Sequence, residues 1–132
     1  MVHSFDGSAD ELGRFLALDG MYVGINGCSL KTEDNLEVAA SVPLDRLLIE
    51  TDAPWCEIRA SSAAAAHVRT RPKALDRKKW TEGVPVKGRN EPAHLVQVAE
   101  ALAGARGDVS AAQLAEATTR NAYELFLPDQ PR

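Results

Sequence analysis

The run Leu47-Leu48-Ile49-Glu50-Thr51-Asp52-Ala53-Pro54-Trp55 restricts the fold more than any other stretch of this 132-residue chain. A short apolar segment that ends in a carboxylate and is cut off by a proline reads as a buried parallel strand with Asp52 at its C-terminal end. In parallel α/β sheets, chemistry collects at that end of the strands. Side-chain alternation puts Leu48, Glu50 and Asp52 on one face and Leu47, Ile49 and Thr51 on the other. Two acids on one face of a buried strand need a cation, a hydrogen-bond network or a metal to compensate them. From these residues alone, a turn-capping Asp52 beside a salt-bridged Glu50 fits equally well.

The segments before that strand alternate in type. Val2-His3-Ser4-Phe5 reads as the end of a strand. Ser8-Ala9-Asp10-Glu11 has the capping-box pattern, Leu12, Phe15 and Leu16 form an apolar stripe, and Gly20 stops the helix. Met21–Asn26 is a β-rich run bounded by glycine. Thr32 caps a second helix with Glu33 and Asp34 in its first turn and Leu36, Ala39 and Ala40 on its apolar face. The order strand, helix, strand, helix, strand with short connections is the βαβ rhythm of a parallel sheet. With three strands and two unpaired edges, the inner faces of Leu48 and Ile25 are expected to lack cover and stability to be marginal. Further on, Asn90 reads as an N-cap with Pro92 in the first turn, followed by a helix with Leu95, Val98, Ala99 and Leu102 facing the core and Gly104 at its end. Ser110–Gln113 is another capping box, and Leu114, Ala122, Leu125 and Phe126 mark the buried side of the last helix.

Charge is unevenly spread. Residues 1–52 hold three basic and ten acidic side chains, residues 53–90 nine and three, and residues 91–132 three and six. The basic middle third therefore follows directly on Asp52, which points to an anionic partner near that carboxylate. Arg69, Arg71, Lys73, Arg77, Lys78, Lys79 and Arg89 are candidates to follow a phosphate backbone, Arg69 and Arg89 first among them. Trp55 offers a stacking face at the end of the strand. No apolar run approaches the ~18 residues needed to span a bilayer, and residues 1–6 lack the basic and apolar regions of a secretory signal. Two cysteines, Cys28 and Cys56, are too few for a disulfide framework. An intracellular protein, cytoplasmic or nuclear, is expected.

Five motifs in order carry a resemblance: His3-Ser4-Phe5 with Gly7, Tyr22-Val23-Gly24-Ile25-Asn26-Gly27, Glu50-Thr51-Asp52-Ala53-Pro54-Trp55, Arg89-Asn90-Glu91-Pro92, and Ala117-Thr118-Thr119-Arg120-Asn121-Ala122 with Leu125-Phe126. From residue 1 to about 127 the chain resembles the C-terminal part of the TatD-related metal-dependent deoxyribonucleases, which are amidohydrolase-like TIM barrels. The resemblance implies an α/β fold, the C-terminal part of a TIM (β/α)8 barrel with about three parallel strands plus helices, and an incomplete barrel, since a full one takes about 250 residues. Residues 1–132 are read as one partial hydrolase domain with a long basic loop over 53–90 and a frayed tail over 128–132.

The resemblance also implies a divalent metal ion, Mg²⁺ before Mn²⁺ or Zn²⁺. It implies DNA as substrate, single-stranded or at a 3′ end. His3 resembles the family's metal-binding histidine at the end of the sixth barrel strand. Asp52 resembles the acid at the end of the eighth, which touches metal and attacking water. The family's first-strand His-x-His pair, middle-strand glutamate and further histidine have no counterpart here. A non-catalytic nucleic-acid-binding module and an inactive fragment are therefore the alternatives.

Overall fold

The sheet at the centre of the molecule is parallel, as the alternating segments predict. The computed structural model describes residues 1–129. Strand β1 (Val23–Ile25) pairs with β2 (Leu47–Ile49), Val23 opposite Leu47 and Ile25 opposite Ile49. The expected strand at Val2–Phe5 is reduced to a single parallel bridge between Val2 and Val23. The reason is Ser4, whose φ of 51° turns the chain out of the extended conformation. The segment still runs alongside β1, because Val2 N–H donates to Tyr22 O and Gly24 N–H to Val2 O, both at 2.8 Å.

Among the described residues, three of the four α-helices form where the capping residues place them. Helix α1 (Ala9–Leu16) carries the Ser8/Glu11 capping box, α2 (Glu33–Ala40) is capped by Thr32, and α4 (Ala111–Phe126) by the Ser110/Gln113 box. Helix α3 (Leu95–Arg106) departs from expectation at both ends. It runs through Gly104 and stops at Gly107, whose φ of 72° makes the left-handed cap. Gly104 has another reason to be glycine. A Cβ there would lie 2.7 Å from the Cβ and Nδ1 of His67, so the bare backbone lets that ring seat on the helix. At the other end, a 3₁₀ turn over Pro92–His94 precedes α3, and Asn90 does not cap it.

Both longer helices pack on β2 and shelter the sheet. Leu48 and Ile25, expected to lack cover, are 4% and 0% exposed. Asn121, on the core face of α4 with Leu114, Ala117 and Thr118, donates from Nδ2 to Leu44 O at 2.9 Å and Leu47 O at 2.8 Å, tying α4 to the start of β2. Phe126, expected on that face, lies about 100° around the helix from Leu125 and is exposed. Arg106 Nη1 donates to Ala40 O and Val42 O, so a side chain of α3 satisfies carbonyls at the end of α2.

The 53–90 segment is better anchored than a solvated loop. It holds 3₁₀ turns over Ala63–His67 and Arg77–Lys79 and a parallel bridge between Leu75 and Val86, and it sends Ile58, Ala64 and Val68 into the core. Of the tail expected to fray, residues 130–132 lie outside the described residues. Among the described residues no helix is long and apolar enough to cross a membrane.

Candidate active site

Three parallel segments end at the same place, and each delivers a polar side chain there. His3 and Ser4 close the first segment, Asn26 follows β1, and Glu50 and Asp52 follow β2. His3 Nδ1 lies 2.6 Å from Glu50 Oε2, and Nε2 lies 3.6 Å from Asp52 Oδ2. Ser4 holds the group together. Its hydroxyl donates to Asp52 Oδ2 at 2.8 Å and accepts from Asn26 Nδ2 at 2.7 Å, while its backbone N–H donates to Glu50 Oε2 at 3.2 Å. Asn26 is itself pinned, because its Oδ1 accepts the N–H groups of Cys28 and Ser29.

This wiring leaves one lone pair over. In the neutral tautomer His3 Nδ1–H donates to Glu50, and the single proton of the Ser4 hydroxyl is given to Asp52. Nε2, 3.1 Å from Ser4 Oγ, then has no proton to accept. An unprotonated imidazole nitrogen beside a carboxylate, its other nitrogen on a second carboxylate, is the donor arrangement that suits a divalent cation. Ligand atoms of His3, Glu50 and Asp52 lie within 4.8 Å of one another, and the residues present therefore fit a metal.

Glu50 and Asp52 are compensated in different ways. Burial raises the Glu50 carboxyl above its ordinary range, a push that His3 and the Ser4 N–H only partly offset. Gly24 makes room for it, since a Cβ there would lie 1.7 Å from Glu50 Oε1. Asp52 sits at φ 51°, an uncommon conformation for a non-glycine residue. Asn90 clamps the backbone on both sides of it: Asn90 Nδ2 donates to Thr51 O at 2.7 Å and Asn90 N–H donates to Pro54 O at 3.0 Å. Its Oδ1 accepts from Glu91 N–H at 3.0 Å and faces His94 Nδ1 at 3.1 Å. Cys56 Sγ lies 4.0 Å from Asp52 Oδ2, and its thiol is pushed up to about 12 by burial and by Cys28 beside it.

Sequence reasoning singled out His3 and Asp52, and the structure brings them together. It assigned no role to Ser4 or Asn26, read Asn90 as a helix cap, and left Glu50 as a salt-bridge residue. All four lie inside the quoted motifs, and that was the available signal. The three candidate substrate residues separate in space. Trp55 is 75% exposed. Arg69 donates its backbone N–H to Glu100 Oε2 and lines a different cavity, with His67, Glu100 and Gly104. Arg89 lines a groove with Ala53, Pro54, Arg77, Trp80 and Lys87 next to Asp52.

The sequence profile of the family described as TatD related DNase matches residues 1–127. The chain belongs to the TatD-related DNase family. Deoxyribonuclease Tat-D of Schizosaccharomyces pombe is 45% identical over 128 residues, covering 96% of this chain and 40% of that protein. The 3′-5′ ssDNA/RNA exonuclease TatD of Erwinia tasmaniensis is 36% identical over 129 residues, covering 96% and 41%. Among solved structures, a TatD family hydrolase of Entamoeba histolytica superposes with a TM-score of 0.91 at 28% identity, over 96% of this chain and 42% of its own. This TatD-related chain thus spans about two-fifths of the length of the relatives it matches. The TatD-related family is metal-dependent, and the described residues offer the cluster of His3, Glu50 and Asp52 as a place for a cation.

Proposed function

We propose that this chain, with its two paired strands and a third segment bridged to them, forms a C-terminal portion of a (β/α)8 barrel domain and serves metal-dependent hydrolysis of DNA phosphodiester bonds at a 3′ end, inside the cell. The observation that carries the reading is the convergence of His3, Glu50 and Asp52 at the C-terminal ends of parallel segments. A divalent cation, Mg²⁺ before Mn²⁺ or Zn²⁺, supplies Lewis acidity there and makes a water more acidic.

The chain's own groups do the rest. Glu50 fixes the tautomer and orientation of His3, so that Nε2 faces the metal position. Ser4, its hydroxyl held in turn by Asn26, donates to Asp52 Oδ2, which leaves the other carboxylate oxygen for the attacking water and its proton. His3 and Asp52 act as the metal ligands, and Asp52 is also the catalytic base. The name of the Erwinia relative supports a single-stranded substrate.

A second reading is a module that binds nucleic acid without cutting it. It is favoured by the ligand count, because catalytic metal centres use three or more protein ligands and Glu50 is already engaged by His3. The two readings separate in an assay of 5′-labelled single-stranded DNA with Mg²⁺, a chelator control and Asp52→Ala. Chelator-sensitive shortening that disappears in the variant is expected. Product that persists in Asp52→Ala overturns the first reading, and binding without product establishes the second.

A further inference from the structure

The groove beside Asp52 has features that metal binding does not use. Its outer wall is the Arg77–Asn90 segment, which is held in shape by backbone bonds: Leu75 N–H to Pro85 O and Lys87 N–H to Leu75 O, both 2.9 Å. Trp80 Nε1–H donates to Val84 O at 2.8 Å, which commits the indole's one polar atom to the loop. The residue nevertheless remains 51% exposed. An indole fixed by its N–H and left open to solvent is a preorganised stacking surface. Around it, Arg77, Lys87 and Arg89 line a cavity of about 1090 Å³, with Glu91 as its acidic lining residue. Among the described residues the ion pairs engage His3 and Arg106, so these three cations are not neutralised by a carboxylate within 4.0 Å.

The groove is also mechanically joined to the site. Ala53 and Pro54 form its inner wall directly after Asp52, and Asn90 lines it while donating to Thr51 O. Uncommitted cations around an exposed aromatic face match a strand of nucleic acid, whose phosphates and unstacked bases alternate at short intervals. We propose that this groove is a subsite for single-stranded DNA, with a base stacked on Trp80 and phosphates on Arg77, Lys87 and Arg89. The assignment deepens the nuclease reading above and rests on it. It favours Trp80 over Trp55, which does not line the groove, and sets Arg69 aside, because that residue lines a different cavity, with His67 and Glu100.

The chain has two tryptophans, so Trp55→Phe leaves Trp80 as the sole indole and Trp80→Phe leaves Trp55. Both variants of the full chain are titrated with oligothymidylate in a chelating buffer, where cleavage plays no part, and circular dichroism checks their fold. Saturable quenching in Trp55→Phe and its absence in Trp80→Phe is expected. By fluorescence anisotropy, Trp80→Ala weakens binding by about 5- to 150-fold, the range one stacked base gives, and Trp80→Phe recovers most of the loss. The double variant Arg77→Ala/Lys87→Ala lowers the slope of log affinity against log salt by about 1.4, at ~0.7 per single-strand phosphate. Quenching confined to Trp55, wild-type affinity in Trp80→Ala, or no saturable binding at low salt overturns the proposal. A chain that binds through Trp80 yet cuts nothing defeats the nuclease reading alone. One that cuts with Trp80 silent defeats the subsite alone.

Discussion

Asn90→Ala tests whether the clamp around Asp52 holds the site. Asn90 is 5% exposed, and truncation removes the bond to Thr51 O along with the acceptor for Glu91 N–H and the partner of His94 Nδ1. A partly buried polar group left unpaired costs about 1–3 kcal/mol, and three lose a partner. Relaxation and water entry recover part of this, so a loss of about 2–4 kcal/mol is expected. For a domain of this size that lowers Tm by roughly 8–16 °C, at ~4 °C per kcal/mol. Asn90→Asp is the sharper variant. It keeps the shape but sets a carboxylate oxygen against Thr51 O in place of an N–H donor, and its loss should match or exceed that of alanine. Because Asp52 keeps its φ of 51° only while its surroundings hold it, Mn²⁺ binding should weaken in both variants with His3 intact. Urea unfolding gives the stabilities and titration calorimetry the metal affinity. If both variants unfold within about 0.5 kcal/mol of wild type, the clamp argument is wrong.

Three further outcomes are expected. Gly24→Ala places a Cβ 1.7 Å from Glu50 Oε1; the displaced carboxylate releases His3, and Mn²⁺ affinity should fall by about 10- to 100-fold, as for loss of other groups that orient a ligand. Unchanged affinity by calorimetry would detach Glu50 from the metal function. Gly104→Ala gains about 1 kcal/mol of helix propensity but meets the His67 ring at 2.7 Å. It should destabilise by about 1–3 kcal/mol net, yet turn neutral or stabilising in a His67→Gly background, which removes both the ring and the Cβ that lie 2.7 Å away. A denaturant-unfolding cycle with no coupling between the two positions would contradict this. Glu11 titrates below its ordinary 4.5, lowered first by the backbone N–H of Ser8 and then by the Ser8 hydroxyl. A depressed carboxylate contributes stability above its unfolded value and loses it as pH falls through the folded one. Glu11→Gln should therefore lower Tm at neutral pH, and the gap to wild type should close in acid; a gap independent of pH would rule out the charge.

Much of the architecture was legible because it depends on local chemistry. Ser8, Thr32 and Ser110 cap helices by bonding to their own first turns, and the apolar run before Asp52 reads as a buried strand, which spans Leu47–Ile49. His3 and Asp52 could be picked out because each stands at the end of such a segment within a motif. What could not be read is whatever depends on contacts distant in sequence. Gly104 looked like a helix stop, but the approach of His67 from another element explains it. Asn90 looked like a cap, yet its side chain turns 39 residues back along the chain to Thr51. Trp55 and Trp80 are indistinguishable by composition, and the loop fold decides which of them lines the groove. Side-chain pattern and capping within a few residues are enough to place the capped helices, the two paired strands and the carboxylates that follow the second of them. Only the tertiary structure decided that Ser4, Asn26, Glu50 and Asn90 orient His3 and Asp52, because hydrogen bonds between segments exist only once the parallel strands are in register.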